Sequence, residues 1–89
     1  MEKTLFKVID ICQSKNIESS FITALHQNGL IEITIIEKEE FMGEIALVQV
    51  ERFASWYYDL ELNMEGIEVV NHLLQKIEDL QKEIRLLKA

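Results

Sequence analysis

Proline is absent from the chain, cysteine occurs once, glycine three times, and aromatic residues make up 8% of its 89 residues. Without proline, no ring removes an amide donor inside a helix, so the segments between glycines are free to be helical. One thiol, Cys12, cannot form an internal disulfide, which excludes a cystine-stapled fold. No run of about 18 apolar residues exists and no secretory signal opens the chain, so a soluble, cytoplasmic protein without membrane contact is expected. Cations are also scarce: nine Lys and Arg stand against 16 Asp and Glu, a net charge of −7. Nonspecific affinity for nucleic acid comes from cations that displace counterions from phosphates, so nucleic acid is disfavoured and a basic protein is the better partner.

What is present is a folding composition, 48% hydrophobic and 28% charged, in a length that suits one domain. Such a domain buries about 60–65% of its unfolded surface, which leaves little interior for a deep cavity. A protein partner or a second copy is therefore expected rather than a small-molecule substrate.

The glycines, Gly29, Gly43 and Gly66, fall near expected helix ends. Val8, Ile9, Ile11 and Cys12 predict a short helix ending near Asn16, and Phe21, Ile22 and Leu25 predict a second, closed by Gly29. Ile31, Ile33 and Ile35 alternate with Glu32 and Thr34 as in a half-buried strand. A polar run, Glu37 to Glu40, then leads to a return strand at Phe41-Met42, giving a β-hairpin or wing. From Glu44 to about Leu60 a third helix carries two apolar stripes. One runs through Ile45, Val48, Phe53, Trp56 and Leu60, the other through Leu47, Val50, Ala54 and Tyr57. Two stripes predict contact on both sides, with Gln49, Arg52, Ser55 and Asp59 left to solvent. Asn63 should cap a fourth helix reaching about Leu87.

That helix places Val70, Ile77 and Ile84 at one heptad position and Leu73, Leu80 and Leu87 at the other. At 1.5 Å per residue it is about 36 Å long, more than a domain of this size covers by itself. These six residues are the expected dimer interface, with parallel and antiparallel pairing both open. The chain thus divides into residues 1–43, two helices and the wing, and residues 44–89, a helix pair with a dimerising end.

Catalytic, cofactor and metal sites are not expected. His26, His72 and Cys12 fall in three elements without zinc-ligand spacing. His26 suits a helix C-terminus, His72 reads as solvated, and Cys12 reads as a small apolar residue with no neighbouring cation to activate it. The acidic group Glu37, Glu39, Glu40 and Glu44, with Glu51, is a candidate contact for a basic partner, and equally a solvated tip that protects a strand edge. Trp56 and Tyr57 read as core. Tyr58, off both stripes, is the candidate aromatic anchor.

Two helices, a wing and a helix pair ending in a coiled coil follow the order of a MerR-type winged helix-turn-helix. The stretches Phe6-Lys7-Val8-Ile9-Asp10-Ile11-Cys12, Asn16-Ile17-Glu18 and Asn28-Gly29-Leu30-Ile31-Glu32 resemble the start of the CbpM chaperone-modulator family. The segments from Leu60 to Ile67 and from Ile77 to Leu87 resemble its linker and leucine-rich tail. The resemblance implies a mainly α fold: a MerR-like winged helix-turn-helix with a small β-wing and a long C-terminal coiled-coil-type helix. It also implies a homodimeric, cofactor-free regulator that binds the J-domain of a DnaJ/CbpA-like co-chaperone and inhibits its stimulation of Hsp70. J-domains present a basic helix face, which an acidic protein can cover. The alternative is a MerR-like DNA-binding transcriptional regulator. Its second helix would offer Ser19, Ser20, Thr23, His26, Gln27 and Asn28 to bases but no Lys or Arg to phosphates. The possible N-terminal cations are Lys3, Lys7, Lys15 and Lys38.

Overall fold

The computed structural model describes residues 4–88, so Lys3 lies outside the described residues. Strand β1 (Leu5–Lys7) leads directly into helix α1 (Val8–Lys15), followed by α2 (Ser19–Gln27). Strands β2 (Thr34–Ile36) and β3 (Glu39–Gly43) form a hairpin. Helix α3 (Glu44–Ala54) runs into a π-helical turn (Ser55–Asp59), and α4 (Met64–Lys88) completes the chain.

Local chemistry sets the boundaries. Asn16 ends α1 in the left-handed region at φ 53°, which asparagine tolerates better than most residues. At the end of α2, Gly29 takes φ 72°. Its amide donates to the His26 carbonyl, and the Leu30 amide donates to the Leu25 carbonyl. These two bonds form a Schellman closure, as Gly29 led us to expect. Asn63 caps α4 by accepting the Gly66 amide at its Oδ1, 2.8 Å away, which satisfies one of the donors that a helix start leaves free.

The sheet has three strands in the order β1-β3-β2, both pairings antiparallel. Strand β1, whose three residues flow into α1, was not anticipated. It places Leu5 opposite Gly43 and Lys7 opposite Phe41. The β2–β3 ladder ends on the Ile36–Glu39 pair, so Glu37 and Lys38 alone make the turn, at φ 49° and 69°. Two successive left-handed residues define a turn that favours Asn-Gly, and neither Glu nor Lys is at ease there. Replacing Lys38 by Gly should stabilise the domain by about 0.5–1 kcal/mol, raising Tm by about 2–6 °C in a thermal melt. No rise would mean that the turn carries no strain.

The core draws on every layer. Ile22 and Leu25 of α2, Met42 of β3, Val50 and Phe53 of α3 and Ile67 of α4 are all essentially inaccessible. Phe6, opposite Met42 in the sheet, packs on the same cluster. Two expectations are corrected. Ile31 is buried and Ile33 half-buried, but both precede β2, and Ile35 within that strand is exposed. On α3 the buried residues are Ala46, Val50 and Phe53, whereas Ile45 and Val48 are 79% and 60% exposed. One face of α3 meets the core; the face carrying Ile45 and Val48 does not.

The π-helical turn explains the remaining misplacement. The Leu60 amide donates to the Ser55 carbonyl, five residues back, so the turn holds one residue more than an α-helical one. Trp56 still packs on the core, but the residues after it fall out of phase with the stripes drawn along α3. Leu60 is exposed rather than packed, and Tyr57 is 41% exposed.

Candidate partner interface

The acidic candidates are all exposed, but they do not form one face. Glu37 occupies the hairpin tip. Glu39 and Glu40 line a groove between α1 and β3, whose walls include Val8, Ile9, Cys12 and Ile17. Glu44, the first residue of α3, lines a second groove with Leu30, Glu32 and Ile45. Glu51, two helical turns further on, pairs with Lys15 at 3.2 Å in a third cleft that also holds Tyr58 and Asp59. Glu39 is partnered as well, by Lys7 at 3.2 Å. Lys7 and Glu39 are diagonal neighbours across the β1–β3 pairing. Both ion pairs are solvated and contribute only a fraction of a kcal/mol.

Tyr58 is 42% exposed yet engaged within the chain. Its hydroxyl accepts the Glu18 amide at 3.2 Å, just before α2 begins. Its ring meets Phe21 edge-on at 5.6 Å. Tyr57 stacks on Phe21 at 4.6 Å and meets Tyr58 edge-on at 5.0 Å. The π-helical turn thus delivers two tyrosines onto one phenylalanine and fixes the α2 start against the end of α3. Trp56 lies half-buried beside Phe53, centroids 5.6 Å apart.

Cys12 is half-buried against the core. Burial pushes its thiol pKa up, and the Glu40 carboxylate adds to the effect. Both causes favour the neutral thiol, which suits a packing role rather than a nucleophilic one. His26 donates Nδ1–H to the Ile31 carbonyl at 3.4 Å, and His72 is exposed. Among the described residues, no group of three or more His, Cys, Asp and Glu could hold a metal ion. Among the described residues no helix is long and apolar enough to cross a membrane.

Helix α4 is anchored only at its start. Ile67 is fully buried, Leu62 and Met64 pack on the core, and Val70 and Leu74 are half-buried. From Gln75 onward every described residue is exposed. Leu73, Ile77, Leu80 and Ile84 are each about half exposed, and Leu87 more so. The apolar row therefore runs along the helix without a cover from its own chain.

Comparison with known proteins gives this architecture a family. A family model described as MerR HTH family regulatory protein matches residues 6–89. The chaperone modulatory protein CbpM of Coxiella burnetii (strain Dugway 5J108-111) is 30% identical over 82 residues, spanning 91% of this chain and 77% of that protein. The chain is a CbpM-like member of the MerR helix-turn-helix family. The chaperone modulatory protein CbpM of Pseudomonas putida (strain W619) is 28% identical over 92 residues, spanning 99% of this chain and 91% of its own. That of Pseudomonas entomophila (strain L48) is 26% identical over the same length. No solved structure matches the chain.

Helices α1 and α2 are joined through Asn16, Ile17 and Glu18. The outward residues of α2 are Ser19, Ser20, Thr23, His26 and Gln27, and the helix carries no Lys or Arg. Sequence reasoning overlooked three exposed apolar residues on this CbpM-like surface: Ile9, Ile45 and Val48. Ile9 could have been found from its position. It stands one residue after Val8 and two before Ile11, off the row that these buried residues form.

Proposed function

We propose that this protein is a chaperone modulator that binds the J-domain of a DnaJ-like co-chaperone and inhibits its stimulation of Hsp70. It acts in the cytoplasm as a homodimer joined through Val70, Leu73, Ile77, Leu80, Ile84 and Leu87. The observation that carries this reading is the near full-length relationship to proteins named chaperone modulatory protein CbpM. In this reading the β2–β3 hairpin is the wing of a winged helix-turn-helix, and α4 is half of a coiled coil. Glu37, Glu39, Glu40, Glu44, Glu51 and Tyr58 are its candidate contacts. No catalytic group is required, because covering the J-domain's basic face suffices to keep it from Hsp70.

Charge supports the partner's chemistry. At −7 per chain, two chains present about −14 to a basic domain, which raises the encounter rate at low salt. The same charge opposes a duplex, and α2 has no cation to anchor a phosphate. The test is a steady-state Hsp70 ATPase assay with a J-domain from the same genome. Adding this protein should abolish the J-stimulated increment and leave the basal rate unchanged. Replacing Glu37, Glu39, Glu40 and Glu44 together by Gln should slow association and flatten its salt dependence, with a smaller effect on dissociation. A folded dimer that binds no J-domain protein of its own organism removes the function.

A further inference from the structure

We propose that the groove between α1 and β3 seats a cationic amphipathic helix of the J-domain, with its apolar side on Ile9, Cys12 and Ile17 and a Lys or Arg at Glu40. The inference rests on the J-domain reading above and names the contact face. The groove has a volume of about 640 Å³. Its floor is apolar: Val8 and Ile17 are buried, Cys12 is half-buried, and Ile9 stands 64% exposed at the edge. An isoleucine that exposed gains most from a cover.

The shape favours a helix as occupant. Val8 and Cys12 form one i, i+4 row on α1, and Ile9 and Gln13 form the next, all four lining the groove. Such rows are the ridges and furrow into which a second helix packs its own side chains. Charge selects the sign of that helix. Lys7, which lines the groove too, neutralises Glu39, whereas Glu40 makes no ion pair among the described residues. The groove therefore keeps one uncompensated carboxylate beside an apolar floor. That combination matches a helix with cations flanking its apolar side and repels an acidic one.

The experiment measures binding of a purified J-domain from the same genome to the full-length protein and to single variants. Ile9→Asp and Glu40→Lys should each weaken Kd at least tenfold, and Ile45→Asp, in the second groove, should stay within twofold. Both groove positions are exposed, so the fold should persist. If circular dichroism shows otherwise, Gln13→Lys on the same wall replaces them with the same expectation. Saturating J-domain should also slow maleimide labelling of Cys12, the sole thiol, at least tenfold. Tight binding by the wild type and both groove variants, with Cys12 labelled at an unchanged rate, overturns the groove and leaves the J-domain reading intact. Absence of binding by the wild type overturns both. Cys12 protected without any J-domain and released by Leu80→Lys would identify the occupant as the α4 end of a second copy, which carries Lys82, Arg85 and Lys88, and would also overturn the proposal.

Discussion

Replacing Phe53 by Ala should lower the melting temperature by about 12 °C or more. Phe53 is among the largest fully buried side chains and lies within one cluster with Ile22, Leu25, Met42 and Ile67, so its removal opens space between all of the layers at once. Deleting a buried phenylalanine costs about 3–5 kcal/mol in transfer and cavity terms. A domain of this length has a total stability of about 4–13 kcal/mol, at 0.05–0.15 kcal/mol per residue. The two ranges overlap, so the variant should lose its cooperative thermal transition or melt at least about 12 °C lower, at about 4–8 °C per kcal/mol. Ile45→Ala, 79% exposed on the same helix, should melt within about 4 °C of the wild type, since surface changes stay within about 0.5 kcal/mol. Similar melting of the two variants would contradict the inward and outward faces assigned to α3.

The second large effect is expected in assembly. At tens of micromolar the wild type should sediment as a dimer and Leu80→Lys as a monomer. Leu80 is 57% exposed in the single chain and lies mid-way along the uncovered row. In a symmetric dimer one substitution changes both copies, and each lost leucine contact is worth about 1.5–3 kcal/mol. Two of them weaken the dimer by about 3–6 kcal/mol, a factor of 100 or more in Kd. Helicity should fall as well, because an isolated helical stretch of a dozen residues is marginal in water, and the part of α4 beyond Leu74 has no other support. A wild type that stays monomeric with full helicity would show that the row needs no cover.

Much of this was legible in the sequence because it rests on local rules. Asn16, Gly29 and Asn63 mark helix ends through their own backbone or side-chain bonds, and the α4 row follows from spacing alone. The losses are equally specific. Strand β1 was missed because Leu5-Phe6-Lys7 is too short to show a period and is held by a partner far along the chain. Tyr57 and Leu60 were misplaced because the π-helical turn shifts the phase, and no residue type announces it. The acidic candidates look like one cluster in the sequence. Alternation in the hairpin and two turns of α3 distribute them over the tip and three clefts.

The strand order carries a kinetic consequence. The β2–β3 hairpin closes over two residues, an event of microseconds. Strand β1 must instead find β3 across roughly 35 residues, a closure that waits until α1 and α2 have condensed and shortened the path. Loop closure thus favours the hairpin forming first and β1 docking last. The same strand is three residues long and lies at one edge of the sheet, as β2 does at the other, and short edge strands exchange their amides with solvent readily. An opening of β1 bares the β3 edge and carries Lys7 away from Glu39, so the pairing of one edge strand and the charge of the hairpin change together.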